Sequence, residues 1–203
     1  IIGSKTITLL FGPAFIFLTA FFIGLIISSL YIIHTHITVH RKAEFIFASI
    51  GLTIGIIFSI LVPLNLSLPP WALIFAGFFG FSAMFFPGIS GSHILFVLNV
   101  YETIITAIAN PLQHINHIIF FGLGGLIALV IVSRFVSYLL KHFHARTLYT
   151  LIGLATGTLL VPIREILQYD AFHPLQITTL LLLTITGILL PATIHIVGTR
   201  KNK

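Results

Sequence analysis

The sequence has no cysteine, so it holds neither a disulfide nor a thiolate metal site. It has very little acid: four Asp and Glu against ten Lys and Arg in 203 residues. Charged residues make up 7% of the chain, where a soluble protein carries about 25%. So few charges cannot cover the surface of a soluble domain of this length. The polar, weakly apolar composition of a disordered chain is missing too, because 58% of the residues are hydrophobic. Period-two alternation is absent, which excludes barrel strands. The basic residues are few and lie between apolar runs, so the net charge of +6 does not mark a nucleic-acid binder. Ile1–Leu10 lack the basic start and cleavage site of a signal peptide. No Ser-His-Asp set, Walker loop or pair of carboxylates supports an enzyme.

What is present is a series of long apolar runs, each near the 20 residues that cross about 30 Å of hydrocarbon. They cover about 9–33, 45–62, 70–86, 94–109, 115–140, 148–163 and 175–197. These predict an all-α fold, a polytopic transmembrane helical bundle, with residues 1–203 as a single membrane domain. The third and fourth runs are short for a span. Between them stands Pro87-Gly88-Ile89-Ser90-Gly91-Ser92-His93. Two short helices joined by such a break predict a re-entrant hairpin, 70–86 and 93–109, with Pro87–Ser92 at its buried tip. Two tilted full spans are the alternative. Loop charges fix the orientation: Arg41, Lys42, Lys141, Arg146, Arg200, Lys201 and Lys203 fall on one side under either reading.

The chain also repeats itself. Ile50-Gly51-Leu52-Thr53-Ile54-Gly55 returns as Ile152-Gly153-Leu154-Ala155-Thr156-Gly157 at an offset of 102. Gly24-Leu25, His40, Val62-Pro63, Pro70 and Pro87 find partners at Gly125-Leu126, His142, Val161-Pro162, Pro174 and Pro191 at offsets of 101, 102, 99, 104 and 104. Repeat one, partial, covers about 9–109, and repeat two about 115–197. Duplicated bundles are common among secondary transporters, with the substrate site at the repeat interface. Moved back by one repeat, Pro87 falls roughly 14 residues before Ile1. An earlier copy of the break is therefore expected upstream, and the chain alone is expected to transport poorly. The later copy, Leu190-Pro191-Ala192, keeps the proline without the glycines and serines.

Proline ends a helix, and Gly88 and Gly91 permit positive φ and close approach of backbone to a ligand. Ser90 or Ser92 can cap the next helix. That helix then offers unpaired N–H groups inside the membrane, and an oxyanion such as phosphate suits them, with the serine hydroxyls and His93 as further donors. A helix break satisfied by water and its own serines is the plainer reading. Asn99 and Glu102 share one face of the following helix, beside Tyr101. Glu102 is either a proton-coupling group or an interfacial anchor. Arg134 either snorkels to the interface or pairs with the phosphate. Of ten histidines, His34, His36 and His40 share one loop and His142 and His144 another. No acid or thiol joins them, and solvated interfacial histidines are preferred to a zinc site.

Phe86-Pro87-Gly88-Ile89-Ser90-Gly91-Ser92, followed by Leu98, Tyr101 and Glu102, resembles the bacterial polyprenyl-phosphate transporter family. Its pattern is Pro-Gly-[Ile/Val]-Ser-Gly-[Ser/Gly], then an apolar helix ending in a Leu-Gly-x-Tyr-Glu-like stretch. Asn99 stands where glycine is usual, and His93 where a small or apolar residue is typical. Ser133 to Leu140, and Ile152-Gly153-Leu154 with Gly157, are also similar to that family. The resemblance implies a multi-pass protein of the bacterial plasma membrane with no cofactor. It also implies return of undecaprenyl phosphate from the outer to the inner leaflet. Its partners would be that lipid, the bilayer and a coupling proton or sodium ion. An intramembrane enzyme acting on a lipid phosphate, an ion channel and a small-solute transporter remain the alternatives.

Overall fold

A computed structural model of the chain describes residues 2–35, 37, 43–61, 68–167 and 174–201. Every regular element among these is helical. In order they are α1 (Ile2–Thr35), α2 (Glu44–Ile60), α3 (Leu73–Ser82), α4 (Gly91–Val97), α5 (Tyr101–Ala109), α6 (Ile115–His142), α7 (His144–Thr158), α8 (Leu160–Leu167) and α9 (Pro174–Lys201). Short 3-10 turns, Pro70–Ala72 and Ala83–Phe85, extend α3 at both ends. Phe15–Thr35, Ile115–His142, His144–Leu167 and Gln176–Ile194 are long and apolar enough to cross a membrane. The all-α polytopic bundle expected from composition is therefore the fold. Large apolar side chains such as Phe22, Ile57, Leu126 and Leu182 face outward, as a lipid-facing surface requires. Arg41, Lys42, His40, Val62 and Pro63, used above for orientation and repeat, lie outside the described residues, as do the side chains of Arg200 and Lys201.

Two compact units emerge. One comprises Ile1–Thr38 with Leu159–Lys203. In it α1 packs along α9, where a Cβ added to Gly24 or Gly187 would strike the facing backbone at Thr184 or Phe21. The Thr184 hydroxyl donates to the Ala20 carbonyl at 3.2 Å across this contact. Small residues let the backbones approach, and interhelical hydrogen bonds add to the packing. Pro191 lies inside α9 without ending it. The residues around it lack the glycines and serines that accompany Pro87, and one missing N–H is tolerated within a membrane helix.

The other unit is Val39–Thr158. Its first contact is α2 on α7. A Cβ on Gly51 would meet Thr150 and Leu154 backbone, and one on Gly153 would meet that of Ala48 and Leu52. Gly55 meets Leu154 to Thr158, and Gly157 meets Leu52 to Ile56. Contacts advance together along both helices, so α2 and α7 run parallel. Each contact has its counterpart 102 residues away. Ser59, buried, donates to the carbonyls of Gly55 at 2.8 Å and Gly157 at 3.2 Å. The second contact is α3 on α6, with Gly77 and Gly124 against each other's helix backbone. The core beside it gathers Leu73, Ala76, Leu95, Val100 and Ile104.

The hairpin differs from expectation in its returning arm. The first arm, Pro70–Phe85, forms as expected, but 93–109 is not one helix. It is α4 and α5, bent by 113°. The bend is a helix stop of the Schellman type. The Asn99 amide donates to the Phe96 carbonyl and the Val100 amide to the Leu95 carbonyl, both at 3.0 Å. Asn99 takes a left-handed φ of 57°. Such a cap favours glycine and next asparagine, and it brings an apolar pair together, here Leu95 and Val100 in the core.

Candidate functional site

The break begins where the 3-10 turn runs into Pro87. The Ile89 amide donates to the Phe86 carbonyl at 3.3 Å, and Gly88 has a φ of +87°. Proline at the second place and a positive-φ glycine at the third are the requirements of a type II turn. Gly88 is also pressed close to α7, since a Cβ there would strike the Thr158 hydroxyl. Gly91 plays a different part from the one expected. It is the first residue of α4, and its positive φ is not needed. A Cβ there would meet the Gly80 carbonyl at 2.5 Å, so it serves the close approach of the hairpin's two arms.

Ser90 stands at the N-cap of α4, and its carbonyl accepts the Ile94 amide at 3.2 Å. Its hydroxyl makes no cap hydrogen bond. Instead the Ser90 and Ser92 hydroxyl oxygens lie 2.7 Å apart, and both side chains are exposed. The pair shares one proton between two oxygens and leaves the second hydroxyl proton for another acceptor. Because α4 has only seven residues, its dipole contributes less than a helix through Ala109 would. His93 Nε2 lies 3.3 Å from the Phe58 carbonyl and so donates to α2. This hydrogen bond ties the start of α4 to α2.

The other expected site residues are elsewhere. Asn99 is in the turn and not on a helix face with Glu102. Tyr101 and Glu102 open α5, exposed, at the far end of α4 from the serines, about 10 Å of helix rise away. Glu102 in a first helical turn favours the helix dipole. Arg134 is exposed on α6, beside a shallow cleft with Ser133, Ser137, Tyr138, Lys141 and His142. None of the break residues lines that cleft.

The break does form one wall of a larger groove of about 590 Å³. Phe86, Ile89 and Ile94 supply that wall, and α2, α3, α6 and α7 supply the rest. Its lining is aliphatic and aromatic apart from Ser82, Thr147, Thr150 and Arg146. The three hydroxyls donate to carbonyls of Phe78, Phe143 and Arg146 at 2.6, 2.9 and 2.9 Å. Arg146 is left as the groove's one cation, a residue that the sequence suggested only as an orientation charge. Its guanidinium lies 5.4 Å from the Phe47 ring centroid and 5.7 Å from that of Phe143. The Phe143–Arg146 spacing was a usable local signal. Nothing in the sequence pointed to Phe47, on another helix.

Over residues 1–174 the sequence matches the family described as VCA0040-like, undecaprenyl phosphate translocase-like. It is similar to a Vibrio cholerae protein named polyprenyl-phosphate transporter, at 29% identity over 140 residues, which is 69% of this chain and 45% of the relative. A Staphylococcus aureus protein of the same name is 33% identical over 88 residues, 41% of this chain and 31% of the relative. The chain thus spans less than half the length of these relatives. No solved structure matches it.

Proposed function

The chain belongs to the undecaprenyl phosphate translocase-like family, and on that premise we propose that it takes part in moving a polyprenyl phosphate between leaflets. It is a multi-pass bacterial membrane protein. The direction is outer to inner, so that the carrier lipid is returned for envelope synthesis. The chain relocates the lipid without altering it, with a proton or sodium gradient as the driving force. The observation that carries this reading is the broken hairpin. Its tip exposes the Ser90 and Ser92 hydroxyls, and its flank walls an apolar groove. A phosphate on a long apolar chain needs both: donors for the head and a dry surface for the first part of the tail. Pro87 and Gly88 set the turn, Gly91 closes the arms, and His93 fixes the start of α4. A duplicated architecture with repeats in parallel is part of the same reading. The paired contacts of α2 and α7 at an offset of 102 support it.

The test is leaflet-specific detection of undecaprenyl phosphate in the cells that make this protein. Depletion should raise the lipid exposed at the outer surface. Unchanged exposure would end the proposal. Reconstitution of the native protein in vesicles separates the classes: chemical change of the lipid marks an enzyme, and ion current without lipid movement marks a channel.

A further inference from the structure

One end of the groove holds a cation that the hairpin tip does not use. Phe47 and Phe58 both line the groove from α2 and stand eleven residues apart, about 16 Å of helix rise. Arg146 packs beside Phe47, and the start of α4 is bonded to Phe58 through His93. The groove therefore runs from the break at one end to Arg146 at the other.

The guanidinium lies over two rings, Phe47 of α2 and Phe143 in the turn between α6 and α7. Aromatic rings attract the face of a guanidinium and leave its N–H edge available. No carboxylate among the described residues pairs with it. The remaining polar lining has spent its hydroxyl protons on backbone carbonyls. The groove thus offers one fork of donors at the end of a long apolar slot. Such a fork recognises a phosphate bidentately. A free phosphate would leave the slot unfilled, whereas a single branched apolar chain would cover its aromatic and aliphatic walls.

We propose that Arg146 is a second phosphate station, which holds the head of an isoprenyl phosphate whose chain lies in the groove toward Phe58 and Phe86. This rests on the reading of the protein as a polyprenyl-phosphate transporter and deepens it. The lipid head has two places to rest, the serine pair at the break and the arginine about three helical turns away.

Titration of the purified full-length protein in detergent with farnesyl phosphate, farnesol and inorganic phosphate tests the station. Farnesyl phosphate should bind saturably, farnesol at least about tenfold more weakly, and inorganic phosphate not measurably. Arg146→Gln should weaken farnesyl phosphate by about tenfold to a hundredfold. Arg146→Lys should recover part of the loss, since it restores charge without the fork. Arg134→Gln, whose residue lines the separate cleft of α6 and not the groove, should bind as wild type does. Wild-type affinity in Arg146→Gln, or equal binding of inorganic phosphate and farnesyl phosphate, overturns the station. Binding needs no transport, so the two readings fail separately. Arg146-dependent binding by a protein that leaves the lipid in its leaflet keeps the station and removes the transport reading. Undiminished binding by Arg146→Gln in a protein that transports removes the station alone.

Discussion

Gly153→Ala places one methyl group where α7 touches α2. Its Cβ would lie against the Ala48 carbonyl, 2.8 Å from the carbonyl carbon and 2.9 Å from the Leu52 amide nitrogen. All three are backbone atoms, so no rotamer change relieves the clash and the helices must part. Overpacking of this kind costs about 1–3 kcal/mol, and a rigid backbone neighbour argues for the upper half. Alanine returns up to about 1 kcal/mol through its better helix propensity. A net loss of about 1–2 kcal/mol follows. Separation also lengthens the hydrogen bond from Ser59 to the Gly157 carbonyl, now 3.2 Å, which pushes the same way.

Gly122 is the control within the same fold, because a Cβ there meets nothing within 4 Å. Gly122→Ala should hold or raise stability by up to about 1 kcal/mol. Thermal unfolding of both variants in one detergent, followed by circular dichroism, reads the difference directly. A Gly51→Ala/Gly153→Ala double variant should lose less than the two single losses added, since one widening of the crossing accommodates both methyl groups. Wild-type stability in Gly153→Ala, or an equal loss in Gly122→Ala, would refute the packing argument.

Gly88→Ala should destabilise the hairpin by at least about 1–2 kcal/mol, the cost of a left-handed φ alone, and thermal unfolding measures it. Asn99→Gly should be neutral or stabilising and Asn99→Val destabilising by about 1–2 kcal/mol, with faster hydrogen exchange at the Val100 amide in the valine variant. Ser90→Ala/Ser92→Ala should reduce recycling of surface undecaprenyl phosphate at unchanged stability, each hydroxyl being worth about 1.5–3 kcal/mol where it reaches a charged head. Wild-type recycling by that variant would leave the break a purely structural turn. Arg134→Gln should leave recycling intact, because Arg134 lies on the cleft of α6 and not on the groove beside the break.

The helices were legible in the sequence because a membrane leaves so little choice: apolar runs of the right length must bond their own backbone. The break was legible for a local reason. Pro87 and Gly88 each restrict or free one φ, and a type II turn follows from the two together. The second stop, at Leu98 to Val100, left a fainter mark. Leu98, Asn99 and Val100 sit in an apolar run, and a single asparagine does not end a helix by composition alone. What ends it is a pair of backbone hydrogen bonds and the burial of Leu95 against Val100, contacts made only once α4 is folded. The usual glycine at this position in the resembling family was the available clue, since asparagine is the next residue to accept φ above zero.

The same contrast separates the serines from Arg146. Ser90 and Ser92 sit in a motif whose chemistry can be argued from adjacent residues. Arg146 draws its position from Phe47, 99 residues earlier, and from Phe143 one turn before it. The parallel crossing of α2 and α7 sets Phe47 beside Arg146, and the glycines at 51, 55, 153 and 157 set how closely those helices cross. A substitution that widens the crossing should therefore loosen the hold on the guanidinium as well as the fold. Gly153→Ala should weaken farnesyl phosphate binding in protein that is still folded, and Gly122→Ala should not. Equal, wild-type binding by both variants would show that the arginine is positioned independently of the crossing.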